Sequence, residues 1–506
     1  MRQTHSRTFR LTGVYALGSV AQRGVHVVLL PIYTHFLPVE EWGVLALMNV
    51  TALFLGTLIA TPVSTGALQR YYYHPAYTEK RRLLLANLMA FLLAKTLVVV
   101  GIYLCCAHLL ARLLLGDPQR LPIVRLYGLV LLLWPVWAML VCFVRLIEKA
   151  RYYVVVALIG TLLTAGVVVV GLAWLKLGIY AAVYGQLLSL AVTSLLLLPV
   201  FLKHAELKLA PSVIREPLGF GYPLTPSGLA RLLVQLGDRY VLRILKSVGQ
   251  VGAYAFGYGI AEVIDSLLVN PALSGFSPTI RKLESDPPAL RQFVRRSATL
   301  FYVVAVFVGL GLAAFSREVV VLLGRRPEYH QAWVIVPIVT LAFVQHGLGV
   351  FLDWGMTMKN KAYHISGVLL FSAAVNVALN FALIPRWGII GAATATLISA
   401  VLWNALKAYY SAKFYDLRFD LLRLGHITLL GVGLCAASLA AAAAGGLWIG
   451  LAAKALAVAA FPVLVYATGV LTEADKRWIR RFLGRVRSEG LLAAARSLRE
   501  ETLDGD

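Results

Sequence analysis

The sequence predicts an all-α integral membrane protein with about fourteen transmembrane helices, and composition, apolar run length and an internal repeat support this. Hydrophobic residues make up 59% of the 506 residues and charged residues only 14%, whereas soluble domains carry about 25% charged residues. The apolar residues form runs of about 20, the length that spans a bilayer as a helix. Lipid offers the backbone no hydrogen-bond partners, so these runs must be helical.

The apolar runs define the spans in order along the chain. They lie at 11–32, 42–66, 83–107, 122–144, 152–175, 178–202, 217–237, 250–276, 296–315, 331–352, 363–384, 388–411, 425–445 and 447–471. Lys and Arg concentrate in alternate connecting segments, as in cytoplasmic loops. We therefore expect an even number of spans in a bacterial inner membrane, with both termini cytoplasmic. The basic N-terminus lacks a small-residue cleavage site, which favours a first span over a removable signal peptide.

Composition and motifs favour a transporter over other classes of protein. The net charge of +23 is explained by cytoplasmic loops, so nucleic acid is not an expected partner. The four cysteines, at 105, 106, 142 and 435, all lie in apolar runs without CxxC spacing, so we expect no metal site. P-loop, dinucleotide-binding, zinc-protease and serine-hydrolase motifs are missing from the sequence, and the predicted outer loops are short. We expect no enzyme and no cofactor, apart from a coupling proton or cation.

A repeat with an offset of about 210 residues relates the two parts of the chain. LPVEEWGVLAL aligns with KSVGQVGAYAF, which pairs Gly43 with Gly252. LGIYAAVYGQLLS at 177–189 aligns with WGIIGAATATLIS at 387–399. Six spans per repeat keep both units in the same orientation, so this is a parallel repeat about an axis along the membrane normal.

The repeat divides the chain into four predicted regions. These are a six-helix bundle at 1–210, a second six-helix bundle at 211–415, two additional helices at 416–471 and a basic amphipathic cytoplasmic tail at 472–506. In the tail, an apolar stripe comprises Trp478, Ile479, Phe482 and Val486. A basic helix with such a stripe is typical of one lying on an anionic membrane surface; the alternative is a merely solvated tail.

Cationic residues inside the spans are candidates for binding an anionic headgroup, because intramembrane charges usually face a cavity or a partner. Arg23 and Arg231 occupy equivalent positions in the two repeats, so we expect both to face a central cavity and clamp a pyrophosphate. Each arginine could instead pair with a nearby acid or helix carbonyl. His26 lies on the helix face of Arg23 and extends the site or is simply packed. Arg70 closes span two and contacts a headgroup at the cytoplasmic mouth or only anchors the helix.

Four acidic residues are candidates for ion coupling. Glu262 and Asp265 are three residues apart on span eight and should face one way. Asp353 ends span ten, and Asp238 ends span seven beside Arg239. Buried carboxylates carry protons or ligate cations, but these groups could equally neutralise Arg231 or another cavity cation.

The segments YALGSVAQRGVHVVLLPIYTHFLPVEEWGVLALMNV and TGALQRYYYH resemble the polysaccharide-transport family of Wzx-type lipid-linked oligosaccharide flippases, in the MOP (multidrug/oligosaccharidyl-lipid/polysaccharide) exporter superfamily. The resemblance implies a V-shaped pair of six-helix bundles whose cavity alternates between the two sides of the membrane. It implies an undecaprenyl-pyrophosphate-linked glycan as cargo, for O-antigen, capsule or exopolysaccharide. Membrane lipids and other polysaccharide-assembly proteins are then expected partners.

The related lipid II flippase family uses cavity arginines in its first and seventh helices, and Arg23 and Arg231 occupy similar positions. Two alternatives to a glycan flippase remain open. A cation-coupled multidrug exporter of the same superfamily is one, although fourteen spans and two cavity arginines count against it. A membrane-embedded glycan polymerase or ligase is the other, although it should need a larger outer loop.

Overall fold

The described chain is helical throughout, which confirms the predicted fold class. The computed structural model describes residues 24–25, 28–359, 361–469, 471, 473 and 476–477, and no strand occurs among them. Eleven helical segments in this part of the chain are long and apolar enough to cross a bilayer. The protein is therefore a multi-pass membrane protein.

The first half of the chain, up to residue 210, contains six main helical segments among its described residues, besides short helical turns at Pro75–Tyr77 and between 107 and 115. They are α1 (28–36), α2 (Val39–Tyr71), α3 (Arg81–Cys105), α4 (Pro118–Leu146), α5 (Ala150–Ala173) and α6 (Ile179–His204). Within α2, Thr61–Leu68 is a π-helical stretch that begins beside Pro62. A π stretch widens the helical turn and often marks a functional site.

The second half is more irregular. Its helices are α7 (Ser212–Gly221), α8 (Thr225–Leu236), α9 (Asp238–Leu245), α10 (Val248–Ala261), α11 (Asn270–Lys282), α12 (Pro287–Ala314), α13 (Ser316–Leu323), α14 (Pro327–Met358), α15 (Ala362–Phe414), α16 (Leu421–Ala444) and α17 (Leu447–Ala467). A π-helical stretch at Asp265–Val269 lies between α10 and α11.

Three features explain why fewer spans are seen than the fourteen predicted. Most of the first predicted span lies outside the described residues. The seventh is broken into α7, α8 and α9 near Pro223 and Pro226, because proline removes a backbone donor and ends or bends a helix. The eleventh and twelfth form the continuous segment α15, which is interrupted at Gly388 with φ 54° and ψ −127°. The count of fourteen stays a prediction.

One pair of glycines that the predicted repeat aligns shares a backbone conformation, and the repeat itself stays a prediction. Gly178 has φ 54° and ψ −137°, nearly the same conformation as Gly388, with which the repeat aligns it. Residues with a Cβ rarely adopt this region, so both positions require glycine. Each glycine lies at the start of the helix that completes its repeat.

The chain forms two compact units. One comprises the described residues of Met1–Ala298 and Ser316–Arg418, and the other those of Thr299–Phe315 and Phe419–Asp506. In the second unit, Phe307 stacks on Phe461 with ring centroids 6.3 Å apart. Tyr302 and Thr428 share a hydrogen bond of 2.6 Å. The predicted boundaries at 210 and 415 are not tested by this division and stay predictions.

In the first unit, α2 contacts the second half of the chain at two glycine pairs. A Cβ on Gly252 would lie 1.9 Å from the carbonyl oxygen of Val39, and a Cβ on Gly43 would lie 3.0 Å from the nitrogen of Gly252. A Cβ on Gly221 in α7 would lie 2.0 Å from the carbonyl oxygen of Pro62, beside Gly66. At both points the two backbones touch, which small residues alone permit.

We expect the substitution Gly252→Ala to destabilise the protein by about 2–3 kcal/mol, because the new methyl group overlaps backbone that no side-chain rotation can relieve. The melting temperature of the purified protein in detergent measures the effect. Gly101→Ala on α3 is the matched control, since a Cβ there meets nothing within 4 Å. Equal melting temperatures for the two variants would show that the helices do not depend on this contact.

Candidate functional site

A cavity of about 660 Å³ lies between the two halves of the chain within the first compact unit. Described residues of α1, α2, α4, α5 and α6 line it from the first half. Residues of α8, α9 and α10, with Glu262, line it from the second half. Its volume falls in the range of about 300–1,000 Å³ that is typical of small-molecule sites.

The first half contributes an uncharged cavity wall, called here the aromatic wall. Its six aromatic side chains are Tyr33, Trp42, Tyr127, Trp134, Trp137 and Tyr153. Its six polar side chains are Asn49, Thr161, Thr164, Gln186, Ser189 and Thr193. None of the described residues that the first half places around the cavity is charged. This wall therefore suits a ligand with apolar faces and many hydroxyl or amide groups.

Close packing between α5 and α6 makes part of the aromatic wall rigid. A Cβ on Gly160 would lie 2.8 Å from the Ser189 hydroxyl oxygen, and a Cβ on Gly185 would lie 3.1 Å from the Thr164 carbonyl oxygen. The small residues let the two helices approach closely along the wall. The hydroxyl groups on this surface are thus held at fixed positions.

The second half places a buried ion pair at the cavity. Arg239 lines the cavity and is 6% exposed, while Asp238 is 1% exposed. The Arg239 Nη1 lies 3.3 Å from Asp238 Oδ1, and the guanidinium lies 4.5 Å from the centre of the Tyr258 ring. Asp238 also accepts hydrogen bonds from the hydroxyl groups of Tyr254 and Thr396. Both charges are therefore compensated, as burial in a low-dielectric site requires.

The ion-coupling candidate Asp238 has further polar groups nearby along α15. Thr396 contacts Asp238, and three residues later Ser399 accepts a hydrogen bond of 3.2 Å from the Asn376 amide. Asn380 in turn donates to Asn376 at 3.0 Å. The Oδ1 atom of Asn380 is buried and has no hydrogen-bond partner among the described residues. This group of oxygens lies in an otherwise apolar part of the bundle.

The structure separates Glu262 from Asp265. Glu262 lines the cavity, whereas Asp265 Oδ1 lies 2.9 Å from His346 Nδ1 on α14. Asp265 Oδ2 accepts a further hydrogen bond of 2.9 Å from Asn270. The expectation that both acids face one way is wrong, because α10 ends at Ala261 and the π-helical stretch begins at Asp265. The two residues do not share one regular helical face.

Asp353 and Arg231 belong to a second cluster in the second half. Asp353 Oδ2 lies 2.7 Å from the ammonium nitrogen of Lys407, which is 3% exposed and lies 4.0 Å from the centre of the Trp403 ring. Arg231 is exposed, and its charge interacts with that of Lys407. Arg231 was expected to point into the central cavity, but it is not among the residues lining the 660 Å³ cavity.

The remaining predicted cations do not line this cavity within the described chain. Arg23 and His26 lie outside the described residues, as does the apolar stripe of the tail. Arg70 is exposed, and its guanidinium lies 4.3 Å from the centre of the Phe220 ring on α7. Arg70 thus contacts the first helix of the broken seventh span, which fits an anchoring role.

Sequence reasoning missed Arg239 and Lys407 as site residues. Arg239 directly follows the predicted end of span seven, so it resembled an interfacial charge. Lys407 lies within predicted span twelve, and a lysine in a span is often one that reaches the interface. Its partner Asp353 is distant in sequence, and no local pattern pairs the two.

A group of hydrogen bonds, called here the latch, closes one end of the interface between the halves. The Tyr329 hydroxyl donates to two carbonyl oxygens of the turn 35–38, at 3.1 and 3.2 Å. Arg326 donates to two other carbonyls of that turn, at 3.1 and 3.2 Å. Glu328 accepts from the backbone N–H of Val39 at 3.2 Å, at the start of α2. The latch thus joins the α1–α2 turn to the start of α14.

The described residues include no group of three or more His, Cys, Asp or Glu side chains that could hold a metal ion. The side chains that line the cavity offer hydrogen bonding, aromatic contact and fixed charge. Such a site can bind and orient a molecule.

Comparisons with known proteins agree on the class of the chain. Residues 32–328 match the model of a family described as polysaccharide biosynthesis protein. A curated relative, the probable low-salt glycan biosynthesis flippase Agl15 of Haloferax volcanii, is 23% identical over 195 residues. That match covers 38% of this chain and 41% of the relative, so the chain matches less than half the length of Agl15.

Solved structures share the fold at low sequence identity. The lipid II flippase MurJ in an inward closed conformation superposes with a TM-score of 0.72 at 13% identity, over 90% of this chain and 99% of MurJ. An inward-facing multidrug resistance MATE family transporter of the MOP superfamily superposes with a TM-score of 0.61 at 14% identity, over 80% of this chain and 96% of the transporter.

We expect Asp238→Asn to destabilise the protein by about 3–5 kcal/mol, because it leaves the buried Arg239 uncompensated. The double variant Asp238→Asn/Arg239→Gln should lose less stability than the two single variants lose together, since no unpaired charge remains. The free energy of unfolding of each purified variant measures the effect. Asp416→Asn is the control, because its pair with Arg418 is exposed and should contribute less than about 1 kcal/mol. Additive losses would show that the two buried charges are independent.

Proposed function

Because the chain belongs to the polysaccharide biosynthesis protein family, within the MOP exporter superfamily, we propose that it is a flippase for an undecaprenyl-pyrophosphate-linked oligosaccharide. It moves this lipid across the bacterial inner membrane by alternating access and performs no covalent chemistry. The observation that carries the proposal is the cavity between the two halves, with an uncharged wall rich in aromatic, hydroxyl and amide groups. A sugar headgroup has the complementary chemistry.

The names of two similar proteins support this cargo. Agl15 is named as a glycan biosynthesis flippase and MurJ as a lipid II flippase. One name includes glycan biosynthesis and the other a lipid, and both describe a flippase. The partners of this protein are then its lipid-linked glycan, the membrane lipids and other proteins of polysaccharide assembly. The glycan serves O-antigen, capsule or exopolysaccharide synthesis.

The pyrophosphate is held by cations of the spans, Arg231 and, in the first repeat, Arg23. Arg231 is exposed and lies near Lys407, and Asp353 supplies one carboxylate to the pair of cations. The cluster thus keeps an excess of positive charge. The planar guanidinium of arginine suits two phosphate oxygens at once.

Alternating access requires the latch to open. By the predicted topology, the α1–α2 turn and the start of α14 both lie on the outer side of the membrane. Cargo held in the cavity leaves on that side once the hydrogen bonds from Arg326 and Tyr329 break. The Arg326 hydrogen bonds are exposed, so water replaces them at little cost once they break, whereas the Tyr329 side chain is buried.

Ion coupling involves Asp238, Glu262, Asp265 and Asp353. Asp238 contacts Arg239, Asp265 contacts His346 and Asp353 contacts Lys407. Protonation or cation binding at such a carboxylate frees its partner to bind an anion. Coupling of this kind links the entry of an ion to release of the headgroup.

A multidrug exporter is the second candidate function, and one observation favours it. Glu262 is exposed and lines the cavity, and an acidic cavity suits cationic drugs. The uncharged aromatic wall also accepts flat aromatic cations. Increased resistance to ethidium on expression, with normal surface glycan after gene deletion, would support this function over glycan transport.

We expect Arg231→Glu to abolish surface glycan in a deletion strain complemented with the variant, because a carboxylate repels the pyrophosphate. The protein level on an immunoblot should stay unchanged. Arg125→Glu on α4 is the matched control, since Arg125 is also an exposed arginine of a predicted span but does not belong to the repeat-related pair Arg23 and Arg231. Normal glycan in the double variant Arg23→Ala/Arg231→Ala would exclude a role for this pair in headgroup binding.

Loss of the latch should favour the outward-open state. The double variant Arg326→Gln/Tyr329→Phe removes hydrogen bonds of about 1 kcal/mol each, which shifts the equilibrium roughly tenfold or more. In a cysteine-free protein carrying Asn49→Cys, labelling of the cavity by an impermeant thiol reagent from outside should rise accordingly. Tyr409→Phe is the control, because Tyr409 is 61% exposed and lies on α15. An unchanged labelling rate would contradict this role of the latch.

A further inference from the structure

The aromatic wall suggests which part of the cargo the first half of the chain binds. We propose that it is a subsite for one uncharged sugar ring of the lipid-linked glycan, with Trp134 as its stacking platform. The inference rests on the proposed flippase function and deepens it. It separates sugar recognition, by the first half, from pyrophosphate binding by cations of the spans.

The first argument is the fixed position of an aromatic pair. Trp134 and Trp137 are three residues apart on α4 and both reach the cavity. The Trp134 ring packs directly on Gly56 of α2, where a Cβ would lie 2.5 Å from two of its ring carbons. The glycine thus leaves room for the ring and holds it against the helix. The C–H face of a pyranose packs well on such an exposed π surface.

The second argument is the supply of hydrogen-bonding groups around this platform. The Nε1–H group of Trp42 is buried and has no hydrogen-bond partner within the described chain, although Trp42 lines the cavity. The amides of Asn49 and Gln186 and the hydroxyl of Ser189 add donors and acceptors on the same surface. Sugar hydroxyl groups can both donate hydrogen bonds to these side chains and accept hydrogen bonds from them.

The third argument concerns charge. No described residue on this wall is charged, and the one cation among the described residues that line the cavity, Arg239, is already paired with Asp238. A carboxylate held against the wall would be desolvated without a free counter-ion, which costs several kcal/mol. The subsite therefore selects a neutral hexose or N-acetylhexosamine over a uronic acid.

Binding of three defined lipids to the full-length protein in nanodiscs tests the proposal. The probes are a polyprenyl pyrophosphate without sugar, the same lipid with N-acetylglucosamine, and the same lipid with glucuronic acid. Wild-type protein should bind the N-acetylglucosamine lipid about five- to tenfold more tightly than the sugar-free lipid, the gain expected from one stacked ring. The glucuronic acid lipid should bind no more tightly than the sugar-free lipid.

Trp134→Ala should remove the gain from N-acetylglucosamine and leave the affinity for the sugar-free lipid unchanged. Trp134→Phe should retain part of the gain, and it keeps the test valid if the alanine variant does not fold. Gly56→Ala, which displaces the ring, should act like Trp134→Ala. Trp174→Ala is the matched control, since Trp174 lies in the same half, is 72% exposed and is not part of the cavity lining.

The outcomes separate the subsite from the proposed function. Equal affinity of the wild type for the sugar-free and N-acetylglucosamine lipids overturns the subsite but leaves a pyrophosphate-lipid flippase. An equal loss of affinity for both lipids in the Trp134→Ala variant also overturns the subsite. Tighter binding of the glucuronic acid lipid than of the N-acetylglucosamine lipid overturns the selection for uncharged sugars. Failure of the wild type to bind any of the three lipids overturns the proposed function and the subsite together.

Discussion

The backbone contacts between α2 and the second half of the chain are the constraint on which the cavity depends. Gly43 meets Gly252 near one end of α2, and Gly66 meets Gly221 near the other. Lipid provides no hydrophobic force between helices, so close van der Waals contact must hold them. The cavity lies along α2 between these two points. A transport cycle must therefore rotate the halves about such contacts or separate one of them.

The polar groups of the spans follow a second constraint, the cost of burying charge. Asp238 is paired with Arg239, and Asp353 with Lys407, and each acid or base has further hydrogen bonds or an aromatic ring beside it. Removal of one partner leaves an uncompensated charge in a low-dielectric site. Such pairs are costly to build for stability alone, and their rearrangement gives a membrane protein a means of binding or releasing an anion.

The two sides of the cavity differ in their chemistry. The first half provides aromatic, hydroxyl and amide groups, whereas the second half provides Arg239 and Glu262. The uncharged sugar of the proposed cargo matches the first of these two surfaces. The same fold in MurJ and in a MATE transporter shows that the scaffold alone does not fix the cargo, since fold and function are separable.

Sequence alone determined the helical membrane class, because runs of about 20 apolar residues have no other stable form in lipid. It also paired Gly178 with Gly388, which share one backbone conformation, because a glycine-only conformation constrains the residue type locally. Tertiary structure decided the site. Helix crossings bring Trp134 onto Gly56 and Lys407 beside Asp353, and both contacts join residues that are distant in sequence. The π-helical stretch that begins at Asp265 turns its side chain away from Glu262. No local sequence pattern indicates either effect.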